Sequence, residues 1–364
     1  CLLRCSPDRQ TSATMNPSGP AASTRGRTAL GDISNVNKYS QLHAGKPGKS
    51  LKPTDQKLVG KSASTYGANG RSGLEKSFDE VASRPMSAGR KDAVDKVDAA
   101  DTGNAQAMIP YLGDIHRHYR ESEGINLASA CYMEKQTDVN EKMRAILIDW
   151  LVEVHLKFKL MVETLYLTVN LIDRFLEKEQ ITRNKLQLVG VTAMFIASKY
   201  EEIYAPECRD FVYISDKAYT REQILSMEGL MLSKLSFQLT TPNAFVFLKR
   251  FSKVAGIIST PRSKTDLLAH YLVELTLQEY KMLQYLPSTI AASAIYLALK
   301  TMGQTPWTAE LKQHACYTEA ALVPCVRDMN ALHKNAPTNN LQAVRKKYAQ
   351  EKHGAVSGIP PATL

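Results

Sequence analysis

The chain has 364 residues, 44% of them hydrophobic, and a formal net charge of +10. Residues 1–100 hold 16 Lys plus Arg against 9 Asp plus Glu, a balance of +7, which leaves +3 for everything that follows. A nearly neutral remainder argues against a nucleic-acid-binding core, and no apolar run reaches the ~18 residues of a membrane helix. The six cysteines form no CxxC pair and have no His-x3–5-His run beside them, which argues against a zinc site or a disulfide framework. Reduced, mostly buried thiols are expected instead.

Residues 1–104 are rich in Ser, Thr, Gly, Pro, Ala and Lys and have no sustained apolar period. Such a segment cannot bury enough apolar surface to offset its ordering entropy, so it is expected to be a disordered tail. The chain begins at Cys1, and Met15 is the expected initiator; a native amino-terminal peptide within residues 1–14 would exclude that. One island interrupts the tail, Arg27-Thr-Ala-Leu30-Gly-Asp-Ile33-Ser-Asn35.

From residue 105 the character changes. Ile109, Leu112, Ile115 and Tyr119 predict a short leading helix, followed by a linker through Cys131 and Met133. Asp138 or Asn140 can cap the next helix, because a short polar side chain accepts from the first free N–H groups. That helix, Glu141 to Lys159, carries two apolar stripes. One is Met143, Ile146, Leu147, Trp150, Leu151 and Val154; the other is Ala145, Ile148, Val152 and Leu156. A surface helix needs one stripe. Two stripes mean either a buried central helix or a core helix that also offers an apolar groove outside.

Further helices are predicted over 162–178, 183–200, 206–213 and 221–235, the last opened by Thr220. A second set follows at about 243–254, 263–277, 288–301, 308–314 and 318–334, with Pro324 inside the last. The segment after Lys347 is expected to fray. No alternating strand signal competes, so the fold class is all-α: tandem five-helix domains behind a short leading helix. The expected divisions are 1–104, 105–238, 239–347 and 348–364. The two sets read as a repeat. VTAMFIASK (Val191–Lys199) lines up with ASAIYLALK (Ala292–Lys300), Pro206 with Pro306, and Tyr219-Thr220 with Tyr317-Thr318. The small residues recur every four positions, which lets helices pack closely.

MRAILIDWLVEVH, LVGVTAMFIASKYEEIYAPE and FVYISDKAYTREQILSMEGLMLSKL resemble the cyclins, and His155-Leu-Lys157-Phe158 is similar to the HxKF signature of B-type, mitotic cyclins. The resemblance covers residues 108–345 and implies a tandem cyclin fold. It also implies a regulatory subunit that activates a cyclin-dependent Ser/Thr kinase at the G2/M transition. No nucleotide-binding, metalloprotease or hydrolase motif is present, and His155, His270 and His314 read as packing or capping residues. No catalytic residue, metal or cofactor is expected.

Three sites follow from the resemblance. Lys199 and Glu228 would form a polar pair on the kinase surface, with Tyr200, Leu232, Phe237 and Leu239 around it and Tyr111 and Ile115 added by the leading helix. Met143, Ile146, Leu147 and Trp150, with Leu186 and Gln187, would form a docking patch for Arg-x-Leu motifs, where Glu153 meets the peptide's positive charge. The four apolar side chains on the opening helix should then be at least partly exposed. Arg27, Leu30, Ile33 and Asn35 fit RxxLxxIxN, which resembles a destruction box for the anaphase-promoting ubiquitin ligase. Lys38, Lys46, Lys49, Lys52, Lys57 and Lys61 nearby are candidate ubiquitin acceptors. Arg144 and Asp173 would be a structural ion pair. A nuclear and cytoplasmic location is expected. The competing reading is a transcription-factor module, since general transcription factor IIB and retinoblastoma-like proteins share tandem cyclin folds. A DNA-binding member would need a basic stripe that the near-neutral folded part lacks.

Overall fold

The computed structural model describes residues 95–259 and 262–364. The candidate destruction box at Arg27, Leu30, Ile33 and Asn35, the lysines near it and Met15 lie outside the described residues. Among the described residues, regular structure is helical throughout. A leading helix α1 (Leu112–Ser122) precedes five helices, α2 (Glu141–Phe158), α3 (Val162–Lys178), α4 (Arg183–Glu201), α5 (Cys208–Ile214) and α6 (Arg221–Lys234). The second five are α7 (Ala244–Val254), α8 (Lys264–Gln278), α9 (Pro287–Thr301), α10 (Ala309–Ala315) and α11 (Glu319–Asn335), followed by a short α12 (Ala343–Tyr348).

Side-chain caps start most of these helices. Asn140 Oδ1 accepts from the Met143 N–H at 3.0 Å at the head of α2. Asp138 acts elsewhere: its carboxylate accepts from the backbone N–H of Arg183 at 2.8 Å and from its Nε at 2.7 Å, capping α4 from a distance. Thr220 and Gln223 form a capping box at α6, and Asn243, Ser263, Thr308 and Thr318 accept from first-turn N–H groups of their own helices.

The third helix of each set is its centre. In α4, every residue from Leu188 to Ser198 is buried, and α9 is buried from Ala291 to Leu299. Ala193, Ala197, Ala294 and Ala298 are fully enclosed. The repeat register thus marks the positions where neighbouring helices come closest. Gly190 shows how tight the first set is, because a Cβ there would lie 2.7 Å from Leu147 Cδ1.

The two stripes of α2 are explained by its place between the sets. Leu147, Trp150, Leu151 and Val154 are buried among the first five helices. On another side α2 packs against α8 and α12, where a cleft is lined by Ala145, Leu275, Gln278, Leu332 and Leu341. Asp149 accepts from Gln278 Nε2 at 2.7 Å and from the Ala343 N–H at 2.9 Å. Arg144 reaches across as well: Nε and Nη2 donate to the two Asp173 oxygens at 2.6 and 2.7 Å, while Nη1 donates to the Leu277 carbonyl at 3.0 Å.

The HxKF stretch closes α2. Lys159 takes the left-handed conformation (φ 55°), the Leu160 N–H donates to the His155 carbonyl, and the Lys159 N–H donates to that of Leu156. This is the helix-ending arrangement usually given to glycine. Phe158 meets Phe211 edge-on at 5.3 Å. The buried His155 ring donates from Nε2 to the Met161 carbonyl at 2.9 Å. Burial, with Lys347 nearby, holds the imidazole down at about 4, against an opposing contribution from that carbonyl. A folded value below the unfolded 6.5 means that protons favour the unfolded chain. The contribution is therefore complete above pH ~6.5 and is lost as pH falls toward ~4, amounting to a few kcal/mol. His116 and His353 are shifted the same way. Urea unfolding at pH 7 and pH 4.5 should show this loss, with a shallower pH dependence in His155→Gln; equal slopes would exclude His155 as a source.

The structure differs from the sequence expectation at three places. The segment after Lys347 is packed rather than frayed: Tyr348, Val356 and Ser357 are buried, and the Ala362 carbonyl accepts from Asn330 Nδ2 at 2.9 Å. Structure also begins upstream of residue 105, since Asp98 is buried against α7. Of the four cysteines among the described residues, only Cys325 is buried, while Cys131 and Cys316 are exposed.

Candidate functional site

The end of α4 brings the first group of predicted residues together. Lys199 is paired with Glu228 of α6 and lies 4.1 Å from the centre of the Phe195 ring. Tyr200 is hydrogen-bonded to Thr240, which draws the chain beyond α6 over the end of α4. The Phe237 N–H donates to the Leu232 carbonyl at 2.9 Å, and the Leu239 N–H to that of Phe237 at 3.1 Å. Phe237 is 70% exposed and has a left-handed backbone (φ 56°), directly after Ser236 at φ 52°. A bulky aromatic residue rarely adopts that conformation, and one that leaves its ring in solvent gains little burial in return. Leu232 and Leu239 are half-buried.

Tyr111, exposed, and Ile115, half-buried, lie at the start of the leading helix. Arg174 connects this part of the chain to the first group: Nη1 donates to the Gln238 carbonyl at 2.8 Å and Nη2 to Asn126 Oδ1 at 3.2 Å.

Two neighbours were not picked out in the sequence. Ile203 and Tyr204 follow α4 and are 88% and 92% exposed. Their signal is an apolar pair set in the acidic run EEIYAPE, where no helical period needs it. With Tyr200, Leu230 and Phe237 also exposed, large apolar side chains concentrate on α4, α6 and the segments that follow them, the elements that carry the Lys199–Glu228 pair. Isolated exposed apolar residues are ordinary, whereas a concentration of them marks an interaction surface.

The repeat makes the site asymmetric. Lys300 corresponds to Lys199 and lies 6.0 Å from the ring centre of Tyr296, the counterpart of Phe195. Aligning Tyr317-Thr318 with Tyr219-Thr220, however, puts Val326 where Glu228 stands, and Val326 is buried. The cation recurs, but the carboxylate that fixes it belongs to the first set alone.

The proposed docking patch is narrower than expected. Ile146 is 42% exposed and Met143, Glu153 and Gln187 are partly exposed, but Leu147 and Trp150 are only 4% and 6% exposed, and Leu186 is buried too. The expectation that all four apolar residues of the opening helix reach solvent is corrected for Leu147 and Trp150. Leu147 fills the space over Gly190, and Trp150 belongs to the core of the first set. These three are core residues, and the outward members of the predicted patch are Met143, Ile146, Glu153 and Gln187. Burial and the neighbouring Asp149 raise the Glu153 carboxyl above its usual range, partly offset by Lys346. No group of His, Cys, Asp or Glu placed to hold a metal occurs among the described residues, and no described helix is long and apolar enough to cross a membrane.

Comparison with known proteins agrees with the tandem helical fold. The family model described as Cyclin, N-terminal domain, matches residues 114–240, and that described as Cyclin, C-terminal domain, matches residues 242–362. Cyclin-B2-4 of Arabidopsis thaliana is 48% identical over 274 residues, 75% of this chain and 63% of its own length. The chain thus spans a little under two thirds of that relative. G2/mitotic-specific cyclin-2 of Medicago sativa is 45% identical over 267 residues, covering 73% of this chain and 80% of its own. The crystal structure of a viral cyclin from herpesvirus saimiri shares the fold, with a TM-score of 0.55 at 21% identity over 60% of this chain and 96% of that one. Two helical sets in tandem, matched end to end by both halves of one family and by mitotic relatives at this identity, place the chain in the cyclin family, on its B-type branch.

Proposed function

We propose that this chain is the regulatory subunit that binds and activates a mitotic cyclin-dependent Ser/Thr kinase. The observation that carries this reading is the Lys199–Glu228 pair, present in the first set only and accompanied by exposed Tyr200, Ile203, Tyr204 and Phe237. A kinase is active when its β3 lysine is paired with the glutamate of its αC helix, and αC position controls that pairing. A partner that binds only the αC-in state shifts the population by its difference in affinity for the two states. An apolar interface on the order of 2,000–5,000 Å², typical of lasting complexes, can supply that difference.

The test is reconstitution with a monomeric cyclin-dependent kinase, read as histone phosphorylation. Glu228→Lys sets two cations side by side and is expected to weaken kinase binding at least tenfold while helical content stays unchanged. Binding equal to wild type would remove the pair from the interface. A kinase left inactive by the wild-type chain, with duplex DNA shifted in a gel instead, would favour the transcription-factor reading.

Two further parts of the reading concern substrates and turnover. The groove beside Ile146 takes Arg-x-Leu motifs, with the leucine against Met143 and Ile146 and the arginine near Glu153. Because Ile146 is already partly in solvent, Ile146→Asp should cost the fold little, within about 0.5 kcal/mol, yet reduce affinity for an Arg-x-Leu peptide at least tenfold by calorimetry. Unchanged affinity would place substrate docking elsewhere. The Arg27–Asn35 island acts as the destruction box, and Arg27→Ala with Leu30→Ala should lengthen the protein's half-life in extracts after anaphase onset. The chain divides between nucleus and cytoplasm through the cycle, which imaging of the tagged full chain would check.

A further inference from the structure

The leading helix α1 has no fully buried side chain. An 11-residue helix is marginal on its own in water, and most helices in proteins are held by an apolar face packed on a core. The inner side of α1 is only half-buried, with Tyr119 packed on the core, and polar anchors before and after the helix add to its hold.

Upstream, Asp95, Asp98 and Asp101 recur every three residues through a turn and a 3-10 helix. Asp98, buried, accepts on Oδ1 from Arg250 Nη1 at 2.7 Å and from Lys253 Nζ at 2.6 Å. The same Lys253 nitrogen lies 2.6 Å from Asp101 Oδ2, and His314 Nε2 is 3.1 Å from Asp95 Oδ2. Arg250 and Lys253 belong to α7 and His314 to α10, so this anchor ties the segment before α1 to the second set.

Downstream, the buried Glu123 carboxylate accepts from the Ser288 N–H at 2.9 Å and from its hydroxyl at 2.8 Å. Ser288 is in the first turn of α9, so Glu123 caps that helix from outside, where a carboxylate is favoured by the helix dipole. Arg120 donates to the same hydroxyl at 2.8 Å and lies 4.6 Å from the Tyr317 ring centre. Between the anchors, Tyr119 meets Phe247 edge-on at 6.5 Å. Every one of these contacts is with the second set, while Tyr111 and Ile115 sit between them.

We infer that Asp98 and Glu123 are positioning residues for the partner surface: they fasten α1 to the second set, so that Tyr111 and Ile115 are held ready for the kinase although neither anchor touches it. This rests on the kinase reading above. A partner that needs α1 in place binds with its affinity reduced by the fraction of chains in which α1 is placed. If loss of an anchor lowers that fraction to about one tenth, apparent affinity falls about tenfold.

The experiment uses the full chain with Asp98→Asn, Glu123→Gln and the charge-keeping variant Asp98→Glu, which still faces both Arg250 and Lys253 with a carboxylate. Three quantities are read: amide hydrogen exchange over residues 112–122, kinase affinity and the thermal midpoint. Asp98→Asn and Glu123→Gln are expected to speed exchange in α1 and weaken kinase binding about tenfold, while protection of α4, and of α9 beyond the first turn that Glu123 caps, stays as in wild type. Asp98→Glu should stay close to wild type in both exchange and affinity. Unchanged exchange in both Asp98→Asn and Glu123→Gln would overturn the anchoring. Faster exchange with unchanged affinity would overturn the positioning role. A wild-type chain that binds no kinase would sink the functional reading, while the exchange comparison would still decide whether the anchors hold α1.

Discussion

Arg144→Ala is expected to destabilise the chain by about 3–5 kcal/mol. Arg144 is 1% exposed and Asp173 2% exposed, with two charge-assisted hydrogen bonds between them. Deleting the guanidinium leaves the buried Asp173 carboxylate with the Tyr132 hydroxyl, at 2.8 Å, as its remaining side-chain donor among the described residues, and it removes a donor from the Leu277 carbonyl of the second set. The cost is that of a stranded charge, not the net worth of the pair. Arg144→Met combined with Asp173→Leu should therefore recover much of the loss, because replacing both ions by apolar groups removes the desolvation problem. Urea unfolding of the single and double variants checks this. A single variant within 1 kcal/mol of wild type would show that water or a shifted side chain reaches Asp173. The pair also lies where α2 meets α8, so its loss should loosen the junction of the two sets before either set unfolds by itself.

How legible all this is in the sequence depends on which force sets each position. The order and register of the two five-helix sets follow from apolar period and caps, and both act locally, whereas the short α12 has no such signal. Thr220 with Gln223 marks the start of α6, and the aligned alanines at 193, 197, 294 and 298 mark the two central helices. Which apolar residues face outward is decided by neighbours distant in sequence. Met143, Ile146, Leu147 and Trp150 occupy one stripe, yet Leu147 is drawn in over Gly190, forty-three positions on, while Ile146 is left out. The second stripe of α2 could not be assigned from the helix alone, because its partners are α8 and α12. The same holds for Asp98, whose burial depends on two cations on α7, and for Val356, whose place in the core reverses the expectation of a frayed end. At the candidate kinase surface, family resemblance supplied Lys199 and Glu228. The exposure of Ile203 and Tyr204 became visible only once the chain after α4 was placed.

Phe237→Gly is expected to separate partner binding from folding. At φ 56° a side chain clashes locally with its own backbone, and glycine does not. The ring is 70% exposed, so removing it gives up little packing. Relief of strain and the added freedom of the unfolded chain oppose each other, and the expected stability lies between unchanged and about 1 kcal/mol higher. The local backbone is held at both sides, by the Phe237 N–H on the Leu232 carbonyl and the Leu239 N–H on that of Phe237, so the loop should keep its course. Kinase affinity should move the other way. An exposed aromatic on a candidate partner surface has the character of an interface hot spot, where truncation costs 2 kcal/mol or more, roughly thirtyfold in affinity. Chemical denaturation and surface-resonance binding on the same preparation give both numbers. A variant that loses stability and affinity together would mean that Phe237 is a packing residue of the loop after α6. A variant with wild-type affinity would leave the strained conformation without a functional reason and would shift the apolar contact to Ile203 and Tyr204. Gained or unchanged stability with lost binding is the pairing that strain kept for a partner predicts, because the free chain then carries a cost that only the complex repays.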